Sequence, residues 1–422
     1  MHELTHSQHA HPELARHPEL LADERVSLCL ADLMPPPERP AAPERPAAPE
    51  RRLAAPDRTS AADVKPGFEA LATLIRSARN DRITFDELGR ALGDRNITGS
   101  QAQMLALLRA RFDRLQALDP PGSGGERRIT ARAIERFDEL QKEVKSGRRR
   151  DEESVALVQD VEDLLKDMRE AVGHTVRRLY ADQRNPLNSV RLEAVRQSGI
   201  GNCYFYGAAG AIVAHNPQAI VDLMRDNQDG TVTVTFPHCR PVTVGYPTDA
   251  EIFLFPKPGQ HGVWMWVLEK AYGQHCMNDP GYRVIRRLLG RADSPVPQEH
   301  TEGPSFTDGG LRILTGRPTR WLWNTDQDKL AGTLRDLMRE KPPRAVTADA
   351  SINVRTGEGA PVWMHTYSVI GYDHATRTIT LRNPWGNSPP RSREVKDLGD
   401  GRFSLSLDAF CRYFSKISYP ER

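Results

Sequence analysis

The sequence QSGIGNCYFYGAAGAIVAH, residues 197–215, places Cys203 directly after a glycine-rich turn and ahead of a run of small and apolar residues. Asn202 belongs to the residue types that cap helices, so we expect a helix to begin at Cys203. The unpaired N–H groups at a helix N-terminus lower the pKa of a thiol that lies beside them. The stretch therefore predicts a reactive cysteine or, as the alternative, a structural cysteine buried in a closely packed helix.

A histidine and an asparagine farther along the chain would complete a nucleophilic site. His365 begins the strand-like sequence HTYSVIGY, and Asn383 ends the strand-like sequence TITLRN. A hairpin centred on His374 would place the two residues directly opposite each other, where the amide oxygen accepts the imidazole N–H and orients the ring. Trp385, two residues later, would shield this hydrogen bond from water.

Gln197, six residues before Cys203, is the candidate for stabilising a developing negative charge. Acyl transfer builds an oxyanion, and donors that are already in place contribute strongly to its stabilisation. The Gln197 side-chain amide and the Cys203 backbone N–H would form such a pair. Alone, a glutamine before a turn is more often a polar surface residue.

Together these motifs resemble the calpain group of papain-like cysteine proteases. The segments of the candidate site stand in the calpain order, with Q-x-G-x-G-x-C at 197–203, HTYSV at 365–369 and RNPWG at 382–386. Other segments are also similar to calpain sequences, namely WMWVLEKAY at 264–272, GGLRILTG at 309–316 and DGRFSLSLDAFCRYFSKI at 400–417. The resemblance therefore spans roughly residues 190–420 and rests on several ordered motifs.

The resemblance implies an α+β protein with a papain-like cysteine protease fold over residues 186–422. Its helical subdomain, about 186–330, would carry the cysteine helix. Its β-rich subdomain, about 331–422, would carry the histidine and the asparagine. Two substitutions next to the cysteine depart from the calpain pattern, with Asn202 in place of aspartate and Tyr204 in place of tryptophan, and two next to the histidine, with Met364 and Thr366 in place of glycine and alanine.

The resemblance also implies an activity, the cleavage of protein or peptide substrates through an acyl-enzyme. It assigns Cys203 as the nucleophile, His365 as the general base and acid, Asn383 as the orienting residue, Gln197 as the oxyanion donor and Trp385 as the shield. The same groups also perform transamidation, deamidation or isopeptide cleavage, and a protease fold also serves as a binding module without activity. No cofactor is expected, and the acidic calcium-binding loops of calpains have no clear counterpart.

The sequence before residue 186 has a different texture. Residues 1–65 join a histidine-rich start to PPPERPAAPERPAAPERRLAAPDR at 35–58, which predicts a disordered, solvated tail. Residues 66–185 show helical periodicity and predict an all-α module, which we expect to pack on the protease domain as a regulatory or targeting element or as an occluding segment.

Two short segments inside the helical module, Arg82-Ile83-Thr84 and Arg128-Ile129-Thr130, look alike. They would lie between the helices of an ordinary bundle or, as the alternative, pair with each other as in a degenerate EF-hand-like pair. Arg76, Ala78, Asn80 and Ala133 occupy positions where calcium needs oxygen ligands, so we expect no calcium site there.

Composition excludes several classes of function. The formal net charge of +2 offers no electrostatic argument for nucleic acid or a membrane surface. No apolar run approaches the roughly 20 residues of a membrane span. The five cysteines are an odd, widely spaced set without a CxxC pair, which argues against a disulfide framework and gives no common zinc pattern. The N-terminus lacks a secretory signal, so we expect a cytoplasmic protein or export by a route independent of a signal peptide.

Overall fold

A computed structural model describes most of the chain from Phe68 onward. The described residues are Phe68, Ala72, Ile75, 81–119, 127–288, 294–302, 309–350, 362, 364–387, 390 and 392–422. They form a mixed α+β structure. The tail predicted over residues 1–65 lies outside the described residues. Every helix among the described residues is too short or too polar to span a bilayer.

The first part of the described chain is helical. Its helices are α1 (Phe85–Leu92), α2 (Gly99–Ala110), α3 (Phe112–Gln116), α4 (Ala131–Lys145) and α5 (Glu152–Gly173). Helix α1 begins at a capping box, because the Thr84 hydroxyl accepts from the backbone N–H of Glu87 and the Glu87 carboxylate accepts from the backbone N–H of Thr84.

The two Arg-Ile-Thr segments form a small antiparallel sheet of their own. Strand β1 (Arg82–Thr84) pairs with β2 (Arg128–Thr130), and Ile83 lies opposite Ile129. An EF-hand-like pair requires this contact, and an ordinary helical bundle does not. Among the described residues, no group of three or more His, Cys, Asp or Glu side chains is placed to hold a metal ion.

The middle of the chain combines helices with a three-stranded antiparallel sheet. Its helices are α6 (Cys203–His215), α7 (Pro217–Val221), α8 (Asp249–Leu254), α9 (Trp264–Asn278), α10 (Pro280–Leu288) and α11 (Gly309–Thr315). Its strands are β3 (Met224–Asp226), β4 (Thr231–Val234) and β5 (Val242–Gly245), in that order. Helices α2 and α5 pack on α8, so the helical module and the middle of the chain share one continuous buried apolar cluster.

The last part of the chain is a seven-stranded antiparallel sheet with the order β10-β11-β9-β8-β7-β12-β6. The strands are β6 (Thr319–Trp323), β7 (Val346–Ala350), β8 (Thr366–Asp373), β9 (Thr378–Arg382), β10 (Lys396–Gly399), β11 (Arg402–Ser406) and β12 (Phe414–Pro420). Helices α12 (Gln327–Arg339) and α13 (Leu407–Tyr413) contribute to a second apolar cluster with one face of this sheet.

The opposite face of the sheet receives helix α6. The Ser368 hydroxyl on β8 donates to the Gly207 carbonyl at 2.8 Å, and a Cβ atom at Gly210 would overlap the same hydroxyl. Alternation along β8 explains the arrangement, because Thr366 and Ser368 point toward α6 while Tyr367 and Val369 enter the second apolar cluster. The small residues after Cys203 therefore let the cysteine helix lie directly against the central strands.

The register of the β8–β9 hairpin differs from the prediction. A hairpin centred on His374 requires Ser368 to face Thr380, whereas Ser368 pairs with Arg382. The register also shifts between Val369 and Gly371, where an extra residue is accommodated as a bulge. His365 and Asn383 are therefore not a directly opposed pair, and both lie just outside the paired residues. The offset at Ser368 is an even number of residues, so the side chains keep the faces that were predicted.

Candidate active site

Cys203 is the first residue of helix α6, where the sequence places it. Its neighbour Asn202 does not cap the helix, which was the reason for expecting a helix start there. The Asn202 side chain instead donates to Glu269 and to Thr301. The thiol is largely buried, with 8% of the residue exposed. The helix thus begins at the predicted residue for a different reason.

The helix N-terminus acts on Cys203 in the predicted direction, because the backbone N–H of Tyr204 lowers the pKa of the thiol, but burial outweighs it and the net shift is upward. Burial raises the pKa of the thiol, and the nearby carboxylate of Asp349 raises it further. The backbone N–H and the hydroxyl of Thr366 act in the opposite direction, as does the backbone N–H of Tyr204. Since Thr366 directly follows His365, these interactions also place the thiol beside the histidine strand.

His365 and Asn383 are joined by a direct hydrogen bond. The distance from His365 Nε2 to Asn383 Oδ1 is 3.0 Å, and both residues are buried. The backbone N–H of Trp385 donates to the same oxygen, also at 3.0 Å. A backbone N–H only donates, so the shared atom must be the amide oxygen and His365 Nε2 must carry the hydrogen. The lone pair of the neutral imidazole is therefore on Nδ1, which is the nitrogen available to act as a base.

Aromatic rings surround the imidazole of His365. The Trp385 ring centroid lies 4.6 Å from the imidazole centroid, and Tyr367 makes an edge contact at 4.9 Å. Burial lowers the pKa of His365 to about 4, although the hydrogen bond to Asn383 acts to raise it. The imidazole is thus neutral at pH 7. Trp385 stands where a shield of the His365–Asn383 hydrogen bond was expected.

Gln197 lies on the loop that leads to Cys203, and its residue is 9% exposed. Its Nε2 donates to the Ile200 carbonyl at 2.7 Å, which closes the turn. The amide nitrogen carries a second hydrogen that this bond does not use. An oxyanion role for Gln197 therefore requires this second N–H, and the structure gives the residue a turn-closing role besides.

Two hydrogen bonds tie the cysteine loop to the asparagine loop. The backbone N–H of Gln197 donates to the Pro384 carbonyl at 2.8 Å, and Arg382 Nη1 donates to the Val195 carbonyl at 2.7 Å. Arg382 is fully buried, and burial lowers its pKa while the carboxylate of Asp400 raises it. Arg382 was assigned no role from the sequence. A charged residue at the end of the strand-like sequence TITLRN was the signal that could have indicated a specific buried partner.

A buried ion pair is in contact with the loop that leads to Cys203, and it was not predicted from the sequence. Lys257 Nζ donates to Glu269 Oε2 at 2.8 Å, and both side chains are fully buried. The other carboxylate oxygen, Oε1, accepts from Asn202 Nδ2 at 2.8 Å. Burial lowers the pKa of Lys257, and the Glu269 carboxylate opposes this effect. An aspartate at 202 would bring a second carboxylate against Glu269, which explains the amide at that position.

The candidate residues, which were selected separately from the sequence, lie in one region of the structure. His365, Asn383 and Trp385 are in direct contact, and Cys203 lies against Thr366, the residue next to the histidine. Chemically the region offers a thiol, a neutral imidazole with a fixed tautomer and an amide that holds it.

Comparisons with known proteins add no assignment. No protein-family model matches the chain. A search of the curated proteins gives no significant match either.

Proposed function

We propose that this protein is a cysteine endopeptidase with a calpain-like, papain-type catalytic domain. In this proposal Cys203 is the nucleophile, His365 is the general base and acid, and Asn383 orients the imidazole. The observation that carries the proposal is the buried hydrogen bond from His365 Nε2 to Asn383 Oδ1, whose oxygen is identified by the Trp385 N–H. This arrangement leaves Nδ1 as the only proton acceptor of the ring.

The first step of the proposed reaction moves the Cys203 proton to His365 Nδ1 when a substrate is bound. The sulfur attacks the scissile carbonyl carbon, and the carbonyl oxygen becomes an oxyanion that accepts from the Cys203 N–H and from the second Nε2 hydrogen of Gln197. The C–N bond breaks as the imidazolium returns its proton to the leaving amine. Water then attacks the thioester carbonyl carbon while Nδ1 takes a proton from it. The C–S bond breaks as the imidazolium returns that proton to the sulfur, which regenerates the Cys203 thiol and releases a carboxylic acid.

Burial of the thiol and of the imidazole bears on how the proposed reaction begins. It disfavours the charged form of each group. A bound substrate supplies a carbonyl dipole and the oxyanion donors stabilise the charge that develops, so proton transfer and attack are expected to occur together. The proposed enzyme should therefore react faster with a peptide-linked electrophile than with a small alkylating agent.

The chain offers a matched control for testing the nucleophile. Cys276 on helix α9 is also buried, at 3% exposed, and burial raises its pKa to about 12. We expect a peptidyl chloromethyl ketone to label Cys203 and not Cys276, as judged by peptide mapping. His365→Ala should slow the labelling of Cys203 strongly and leave Cys276 unchanged. Equal labelling of the two cysteines would contradict the assignment of the nucleophile.

Cleavage is tested on an unfolded protein substrate with the full chain. The wild-type protein should release new N-termini, and the activity should disappear in Cys203→Ala and persist in Cys276→Ser. Selective labelling of Cys203 without any cleavage would replace the peptidase proposal with transamidation or deamidation. Absence of both labelling and cleavage would leave a protease-like binding module.

A further inference from the structure

Arg109 joins the helical module to the middle of the chain through side-chain hydrogen bonds. It lies on α2, its side chain is 2% exposed, and its Nε donates to Glu299 Oε1 at 3.0 Å while Nη2 donates to the second carboxylate oxygen. Its Nη1 donates to the Phe85 carbonyl at 2.6 Å, and the guanidinium carbon lies 3.2 Å from the centroid of the Phe85 ring. Nη2 also donates to the Ser294 hydroxyl at 3.3 Å, so the guanidinium is fixed in the module and binds two residues outside it.

Glu299 belongs to the short 294–302 turn, which includes the 3-10 helix Pro297–Thr301. Within this turn, the Ser294 hydroxyl donates to Glu299 Oε2 at 2.7 Å, and the Thr301 hydroxyl donates to the Gln298 carbonyl at 2.7 Å. A Cβ atom at Gly273 of helix α9 would overlap the carbonyl of Pro297. The turn is therefore held from within and pressed closely against α9.

The same turn holds the residues on both sides of Cys203. Asn202 Nδ2 donates to the Thr301 hydroxyl at 2.7 Å, and the Tyr204 hydroxyl donates to the Thr301 carbonyl at 2.8 Å. Asn202 and Thr301 are fully buried. The backbone of Asn202 has φ −126° and ψ 36°, outside the helical and extended regions, so its conformation depends on its surroundings.

These contacts form an unbroken path from the helical module to the candidate nucleophile. We propose that the helical module is a positioning element that acts in cis: Arg109 holds the 294–302 turn, and the turn fixes Asn202 and Tyr204 and thereby the backbone N–H of Cys203. Loss of the Arg109–Glu299 contact loosens the nucleophile loop. The consequence for activity rests on the proposed function, whereas the mechanical coupling does not.

The coupling is measured by amide hydrogen exchange at residues 202–206 of the full chain. The backbone N–H groups of Phe205 and Tyr206 both donate to the Asn202 carbonyl, so their exchange reports on the Asn202 backbone. Arg109→Ala should speed this exchange about tenfold, the change that follows from a loss of 1.4 kcal/mol. Arg111→Ala is the matched control, because Arg111 makes a bidentate contact with the carboxylate of Asp160 inside the module. It should leave residues 202–206 unchanged.

A double-mutant cycle distinguishes a path through the turn from two unrelated contacts. Thr301→Val removes the hydroxyl that accepts from Asn202, and Tyr204→Phe removes the hydroxyl that donates to the Thr301 carbonyl; both substitutions leave the helical module untouched. If the coupling passes through the 294–302 turn, adding Arg109→Ala to this pair of substitutions changes the exchange of 202–206 by less than twofold. Exchange effects that multiply in the combined variant would overturn the proposal.

A second variant keeps the test decisive if Arg109→Ala unfolds the module. Glu299→Gln combined with Ser294→Ala removes the carboxylate charge and the hydroxyl that Arg109 contacts in the turn, and it leaves Arg109 with its contact to Phe85. Faster exchange at 202–206 in this folded variant supports the coupling, and unchanged exchange overturns it. The cleavage rate of an unfolded protein should fall in parallel with the exchange effect. If the wild-type protein cleaves nothing while the exchange remains coupled, the proposed function fails and the coupling stands.

Discussion

The cysteine side and the histidine side of the candidate site are held by different kinds of interaction. On the cysteine side, the loop before Cys203 is fixed by a fully buried ion pair, Lys257–Glu269, through the Asn202 side chain. On the histidine side, the imidazole itself is held by neutral groups, since Asn383 accepts from His365 and from a backbone N–H. Charged groups in a dry interior depend strongly on their partners, whereas neutral hydrogen bonds depend on them less. The two sides should therefore respond differently to the loss of one member and to pH.

The largest effect is expected from breaking the ion pair on the cysteine side. Lys257→Met leaves the Glu269 carboxylate buried without its counter-charge, which should lower the free energy of unfolding by about 3–5 kcal/mol. Denaturant titration followed by tryptophan fluorescence measures the loss. Lys257→Met combined with Glu269→Gln removes both charges and still offers Asn202 an acceptor, so most of the loss should be recovered. A double variant as unstable as the single one would show that the charge is not the cause.

The next effect is on the pH dependence of the free energy of unfolding and comes from the histidine side. The pKa of His365 is about 4 in the folded protein and about 6.5 in an unfolded chain. The unfolded state therefore binds a proton at a higher pH than the folded state. The stability associated with the neutral imidazole is fully present above pH 6.5 and is lost as the pH falls from 6.5 to 4. The loss amounts to about 3 kcal/mol.

The contribution of His365 is isolated by comparison with a variant that does not titrate. The free energy of unfolding should fall more steeply between pH 6.5 and 4 in the wild-type protein than in His365→Gln. Parallel pH profiles for the wild-type protein and His365→Gln would mean that the imidazole is not held neutral by burial.

Much of the histidine side could be predicted from the sequence. The proximity of His365 and Asn383 follows from two strand ends in one hairpin, so a local argument reached it. The register did not follow, because the bulge between Val369 and Gly371 adds a residue that no spacing rule shows. The even offset at Ser368 kept the side chains on the predicted faces, so the error in register left the contact intact.

The cysteine side was less accessible to the same reasoning. Asn202 suggested a cap, and the helix does begin at Cys203, but the side chain bonds to Glu269 and Thr301, which lie 67 and 99 residues away. No local pattern connects residues so far apart. The direction of the pKa shift of Cys203 could not be predicted for the same reason, because burial under distant segments outweighs the helix N-terminus.

The smallest effect is expected at the point where the two sides meet. The Thr366 hydroxyl donates to Asp349 Oδ1 at 2.8 Å, and the Asp349 carboxylate raises the pKa of the Cys203 thiol. Asp349→Asn removes the negative charge and still offers an oxygen to Thr366. The pKa of Cys203 should fall, and its alkylation by iodoacetamide should begin at a lower pH. The shift should be modest, because burial is the larger cause of the raised pKa and the substitution leaves it in place.

Cys276 provides the internal reference for this measurement. Cys276 lies on helix α9, and Asp349 is not among the groups that shift its pKa. The pH dependence of its alkylation should therefore be the same in the wild-type protein and in Asp349→Asn. A shift confined to Cys203 assigns the effect to the removed charge, because a general opening of the structure would expose both thiols. A Cys203 profile that does not move would mean that the Asp349 carboxylate does not influence the pKa of the thiol.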